Sequence, residues 1–417
     1  MGISNQKNIA SKILCCNGRN SQVYNKDIEV DKIIDNSTKF KYITLIQSFF
    51  RGYSIRKKYN CHPVNMSSLC QEMPSSFSTE KYENNEKIIK LRNLLSKFEL
   101  NEKEKFQILS TNYKNIVLKY FDGSIYKGYV NKNLLRECYG IYYFPNNSIY
   151  EGFFKNNKME GRGRLFCIDG FVYDGEFVNN LFTGFGTLIS LDGVIYKGNW
   201  LNDKQQGYGE ETYIDGSYYK GFFINGKKNG KGKFTWKNGN YYEGDFLNDE
   251  ITGIGTYHWK DGKIYSGNWK NHKMEGAGIF IWPDRKMYIG YYLNDTKNGF
   301  GIFYSTNNKK FEGFWKNGKQ HGKGIVINNL QQKIFLEYNE GEKLNKINDI
   351  AEQEEIEKNI LVEKNKINLT YYLELSNNII KEIKNIENVS VNKDKDIISN
   401  GVNYGFNYWK LKIKYYI

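Results

Sequence analysis

The chain has 417 residues, 60 Lys and Arg against 46 Asp and Glu for a net charge of +14, and 16% aromatics with only 4 prolines. That charge raises nucleic acid and anionic phospholipid as partners, but no segment resembles a nucleic-acid module and no apolar run reaches the ~18 residues of a membrane span. Six cysteines lack zinc spacing, and His62, His258, His272 and His321 form neither a metal set nor a triad, so no cofactor, no metal and no enzyme are expected.

Residues 1–36 read as a flexible tail. Gly2 is placed to accept a myristoyl group once Met1 is removed, although Gln6 stands where such sites carry Ser or Thr. Cys15 and Cys16 follow within reach of palmitoylation, and two acyl chains hold a membrane where one binds only marginally. The plainer reading is a tail with two incidental cysteines. No signal peptide opens the sequence, so reduced thiols and a cytoplasmic location are expected, peripheral to a membrane or the cortical cytoskeleton.

Residues 37–59 are predicted helical, with capping candidates at Asp35, Asn36 and Ser37 and with Pro63 beyond the end. Residues 38–59 hold six basic residues and no acid. Ile46, Gln47, Arg51, Gly52 and Arg56 stand at the spacing of the IQ motif, which this segment resembles. The resemblance implies a helix gripped by calmodulin or a related EF-hand light chain, with Ile46 and Phe50 as apolar anchors and Arg51 and Arg56 meeting an acidic rim. A basic amphipathic helix lying on a membrane or on the rest of the chain is the alternative.

Residues 60–79 read as a Ser/Asn-rich linker. In residues 80–112, Ile88, Leu91, Leu95 and Phe98 follow helical spacing from Glu80 to about Phe106. That helix is expected to pack on the start of the next region, where an open sheet edge needs covering.

Residues 113–340 repeat one short sentence. Tyr-x-Gly starts at Tyr126, Tyr150, Tyr173, Tyr196, Tyr219, Tyr242, Tyr265 and Tyr288, with Phe311 as a ninth start, stepping 24 residues once and 23 thereafter. Gly-x-Gly follows eleven residues after each start from Tyr150 on, and a bulky residue such as Phe154, Trp200 or Trp269 stands four residues after it. These fall on one face at period two, so strands are predicted, with rings lying flat over neighbouring glycine backbone. Asn156, Asn179 and their equivalents open one turn; Asp122-Gly123 and its equivalents make the second, a strong hairpin signal. Glu211 is the exception in an otherwise bulky column.

These residues closely resemble the MORN repeat family. The resemblance implies an all-β core: an elongated, single-layer antiparallel β-meander of about eighteen strands, with α-helices flanking both ends. On the face opposite the tyrosines, Tyr129, Phe153, Phe222, Tyr291 and Phe314 suggest an interaction surface. Lys220, Lys227, Lys228, Lys231, Lys233 and Lys237 occur with no acid between Asp215 and Glu243, which suggests a seat for anionic lipid head groups; a solvated lysine-rich turn is the alternative.

Residues 341–417 carry a predicted helix near Asn348–Lys366 with Ile350, Ile356, Ile360 and Ile367, then an aromatic and basic end. The function expected is a non-enzymatic scaffold at a membrane–cytoskeleton interface that recruits a calmodulin-like light chain. A homodimer is left open. The alternatives are an axonemal structural protein or a non-catalytic regulatory subunit of a phosphoinositide kinase.

Overall fold

The computed structural model describes residues 70–381, all within one unit, Phe50–Ile417. They form a 22-stranded open antiparallel sheet in which successive strands pair in chain order, from β1 (Cys70–Met73) and β2 (Lys114–Tyr120) to β21 (Lys333–Asn339) and β22 (Glu342–Lys346). The strands between, from β3 (Ile125–Val130) to β20 (Lys319–Ile327), are the eighteen expected from the repeats. Two strands extend each end. β1 lies inside the stretch read as a linker, and its pairing with β2 fills the edge expected to be covered by a helix.

Tyrosine and glycine close the sheet on one side. Each ring lies over two paired glycines, as Tyr242 does over Gly244 and Gly255, which face each other across the hairpin. The hydroxyl then donates to the carbonyl three residues on: Tyr150 to Phe153 at 2.9 Å, Tyr219 to Phe222 at 3.1 Å, Tyr265 to Asn268 at 3.0 Å. Each ring also meets two neighbours edge-on, as Tyr150 meets Phe154 and Phe177 at 5.1 and 5.0 Å. The zigzag continues through Trp200, Phe223, Phe246, Trp269, Tyr292 and Trp315 to Tyr338. T-shaped pairs of this kind add about 0.5–1.5 kcal/mol each beyond burial. A single-layer sheet thereby buries its tyrosines without a second layer.

The two glycines of Gly-x-Gly do different things. The second lies under the ring, while the first, such as Gly161 at φ 81°, sits at a bulge where the hairpin register shifts. The Asn turns are two-residue loops with positive φ at both positions, Asn156 at 48° and Asn157 at 68°, the geometry that a hairpin of this twist requires.

A ladder joins successive repeats at these turns. Except where it is glycine, at Gly226 and Gly318, the second turn residue accepts on its side chain the N–H of a residue 21 positions earlier: Asn157 from Arg136 (2.8 Å), Asn180 from Met159 (2.7 Å), Asp203 from Phe182 (2.7 Å) and Asp295 from Met274 (2.8 Å). His272 takes the same place, its Nδ1 accepting the N–H of Ile251 at 3.3 Å. Burial pushes its pKa down from 6.5 to about 4. The unfolded chain therefore takes up this proton first, and the contribution is intact above pH 6.5 and lost as pH falls toward 4. Melting curves between pH 7.5 and 4.5 should show a decline that His272→Asn makes shallower; an unchanged decline would refute the assignment.

Helices flank the sheet but do not form the long N-terminal helix expected. Three short ones replace it: α1 (Glu80–Glu83), α2 (Glu86–Arg92) and α3 (Glu102–Leu109). Asn85 and Asn101 each cap a new start, the latter with Glu104 in a reciprocal capping box. At the other end α4 (Ile350–Ile367) begins at an Asp349 cap, and residues 369–381 are also helical.

Candidate interaction surface

The two faces of the sheet differ in what remains open. On the tyrosine face, one side chain at the start of the second strand of a repeat, the tenth residue after Tyr126 and the ninth after Tyr150, Tyr173, Tyr219, Tyr242, Tyr265 and Tyr288, lies among the rings. Met159, Phe182, Ile251 and Met274 fill this position with apolar atoms, but Arg136, Lys228 and Lys297 fill it with charge. Arg136 is fully buried among Tyr120, Tyr126, Tyr142 and Phe154, and its Nη2 donates to the Asn157 carbonyl. Lys297 has four ring centroids within 4.6–5.3 Å, and burial lowers its pKa to about 8. Lys228 lies near Tyr213, Tyr219 and Phe234, with the buried carboxylates of Glu211 at 3.6 Å and Asp249 at 3.9 Å. Glu211, odd in its column by sequence, is there as a counter-ion to Lys228.

The opposite face is covered at both ends. Near the N-terminus, Tyr82, Ile88 and Leu91 pack on Val117, Ile125, Tyr143, Ile149, Phe166 and Val172, with Ile189 at the margin. Phe98 stacks on Tyr139 at 5.9 Å beneath the guanidinium groups of Arg162 and Arg164, and Arg162 pairs with Glu104 at 2.6 Å. Near the C-terminus, Ile356, Ile360, Ile367, Tyr372 and Ile379 pack on isoleucines from Ile264 to Ile327. Salt bridges line this cover: Lys323–Glu352 at 2.8 Å, Lys333–Glu357 at 2.7 Å and Lys364–Glu312 at 2.6 Å. Ile350, one of the predicted apolar positions, is exposed.

Between the covers the face is open, from β8 (Leu181–Ser190) to β14 (Glu250–His258). Here the central column changes from isoleucine to Lys197, Glu210, Lys220, Lys233, Glu243 and Thr256. Large apolar side chains move to the flanking columns: Phe185 is 52% exposed, Tyr208 42%, Phe222 49% and Ile254 58%, with Ile195 and Tyr218 on the other flank. Of the five aromatics expected to form an interaction surface, only Phe222 lies in this open span. Tyr291 and Phe314 pack against the C-terminal cover, and Phe153 lies beside Tyr139.

The six lysines expected to seat a lipid head group do not come together. Lys228 is 2% exposed and points into the tyrosine face. Lys220, Lys231 and Lys233 point the other way, paired with Glu210 (2.6 Å), Asp245 (2.7 Å) and Glu243 (3.7 Å). Lys227 and Lys237 stand next to turns at the two ends of β12 (Lys227–Thr235). The run is free of acids only along the chain; neighbouring strands supply them. Ile46, Gln47, Phe50, Arg51, Gly52 and Arg56 lie outside the described residues, as do Gly2, Cys15 and Cys16. Among the described residues no group of His, Cys, Asp or Glu is arranged to hold a metal ion, and no helix is long and apolar enough to cross a membrane.

Comparison with known proteins agrees with the repeat reading. The family model described as MORN repeat matches residues 150–172, 173–194, 196–218, 219–241, 242–264, 265–287, 288–310 and 311–327. The Tyr126 hairpin lies before the first match, yet its ring covers Gly128 and Gly140 in the same manner. No curated protein sequence matches the chain. Among solved structures, the chain is similar to the TCP10 domain of Danio rerio CPAP in complex with a STIL peptide, at 10% identity and a TM-score of 0.29, over 53% of this chain and 96% of that one. It is also similar to the SAS-4 TCP domain in complex with a proline-rich motif of Drosophila melanogaster Ana2, at 15% identity and a TM-score of 0.20, over 34% and 84%. At these TM-scores the likeness adds nothing to the fold already described. Residues 150–327 of the sheet are eight MORN repeats.

Proposed function

We propose that the chain is a non-enzymatic scaffold that displays its sheet to a protein partner and recruits a calmodulin-like light chain through residues 38–59. The observation that carries the reading is the division of the sheet. One face is sealed by its own tyrosines, and the other is closed at both ends by helices of the same chain and open between them. An exposed apolar group of this kind on a rigid support suits binding better than catalysis. The basic run with Ile46, Gln47, Phe50, Arg51, Gly52 and Arg56 supports the light-chain part, because its anchors and charges match an acidic, groove-bearing partner. Gly2, Cys15 and Cys16 support attachment to a membrane.

A labelled peptide of residues 38–59 should bind calmodulin at micromolar concentration, and Ile46→Glu with Arg51→Glu should abolish the anisotropy change. The same pair of substitutions in the full chain should remove calmodulin from a pulldown. No binding by the unaltered peptide, with or without calcium, would end the light-chain role.

A further inference from the structure

We propose that the open span of the helix-bearing face, across β8 to β14, is the docking site for an acidic amphipathic α-helix of a partner protein. This deepens the scaffold reading and rests on it. The span continues an interface the chain already makes with itself: on both sides of the gap helices of the same chain pack apolar side chains on this face. In those covers three ion pairs set a helix carboxylate on a sheet cation, and one, Lys364 on Glu312, runs the other way. Glu104 meets Arg162, Glu352 meets Lys323, and Glu357 meets Lys333.

The same chemistry is presented in the gap. Lys220, Lys231 and Lys233 are paired with Glu210, Asp245 and Glu243 on neighbouring strands, and the exposed Lys197 leaves the span one positive charge in excess. Phe185, Tyr208, Phe222 and Ile254 form an apolar line beside this charged column. Tyr208 and Phe222 meet edge-on at 5.6 Å and are each about half exposed. A helix laid across the strands would rest Leu or Phe on that line and point Glu or Asp at the lysines. Seven strands at about 4.8 Å separation span roughly 29 Å, the length of a helix of about 19 residues. That is close to the 18 residues of α4.

The probe is a fluorescent 20-residue peptide with Leu and Phe at i, i+3, i+4 and i+7 spacing and Glu on the remaining face, titrated with the full chain. A scrambled peptide of the same composition and a Lys-for-Glu version serve as controls. Binding should be at least tenfold tighter for the acidic amphipathic peptide than for either control. Tyr208→Ser with Phe222→Ser should weaken it at least tenfold, whereas Leu330→Ser, a more exposed apolar change elsewhere, should leave it intact. The chain should stay fully folded at the assay temperature, the lost Tyr208–Phe222 pair lowering the melting midpoint by no more than a few degrees. Equal binding of the controls, or indifference to the Tyr208 and Phe222 changes, overturns the proposal. Sedimentation showing a dimer that Phe222→Ser dissociates would assign the site to a second copy and overturn it too. Calmodulin binding to the same sample separates the two readings: a chain that binds calmodulin but not the helix sinks this inference alone, and one that binds neither sinks both.

Discussion

Gly255→Ala should destabilise the middle of the sheet by about 3 kcal/mol or more, a large loss for one methyl group. A Cβ there would lie within 3.0 Å of the Tyr242 hydroxyl and ring, and the facing residue, Gly244, already brings its backbone close on the same side. The ring cannot retreat, because Phe246 and Trp269 hold it edge-on and its hydroxyl is bonded to the Asp245 carbonyl at 3.1 Å. Gly216→Ala is the comparison: φ is +84°, but nothing lies within 4 Å, so only the left-handed backbone penalty of about 1–2 kcal/mol applies. Repeat arrays unfold by neighbouring units, so the loss should be read by amide exchange in β13 (Tyr241–Leu247), β14 and β15 (Ile264–Lys270) as well as by denaturant. Adding Tyr242→Ala should recover part of the Gly255→Ala loss. Strict additivity in that cycle would refute the ring-on-glycine contact as its cause.

The same substitution in one structural column should have opposite signs at two positions. Lys228→Met deprives the buried Glu211 and Asp249 of their nearby cation and should cost about 3–5 kcal/mol. Lys297→Met removes a cation that burial penalises and installs the residue found at Met159 and Met274. It should stabilise by about 1–2 kcal/mol at pH 7, allowing for partial exposure and for what the four rings return. The pH dependence follows from the same group. Its folded pKa of about 8 is below the unfolded 10.5, so the unfolded chain holds more protons between these values and stability rises with pH across that window. Lys297→Met should flatten that rise in denaturant midpoints measured from pH 7.5 to 10.5. A destabilised Lys297→Met, or a stabilised Lys228→Met, would show that the column is not governed by charge burial.

Much of this architecture was legible because the repeat spells it out. Paired glycines beneath a tyrosine, and Asn with a small or polar residue in a hairpin, leave few alternatives when they recur every 23 residues. What lay beyond reach depends on partners distant in sequence. Cys70–Met73 carries no strand pattern of its own and becomes one only by pairing with residues some 45–50 positions later. Lys228 resembled a surface lysine because its counter-ions, Glu211 and Asp249, belong to the repeats on either side. The aromatic column with Tyr291 and Phe314 looked exposed because the helices that cover it come from residues 350–381. The Met159 and Asn180 pairing shows the same limit: a turn asparagine was expected for its backbone geometry, while its bond to the preceding repeat was not visible.

That bond between repeats bears on how such a chain changes length over generations. Each turn side chain reaches only one unit back, and each tyrosine ring meets rings of its own and the next unit, so these junctions are satisfied locally. Gain or loss of one 23-residue unit by unequal crossover, away from the units that hold Glu211, Lys228 and Asp249, leaves the remaining turn and ring junctions intact and shifts the two helical covers apart or together by about 10 Å. The gene thus contains a gauge, graduated in hairpins, on which the distance between two attachment points can be reset without inventing a new contact.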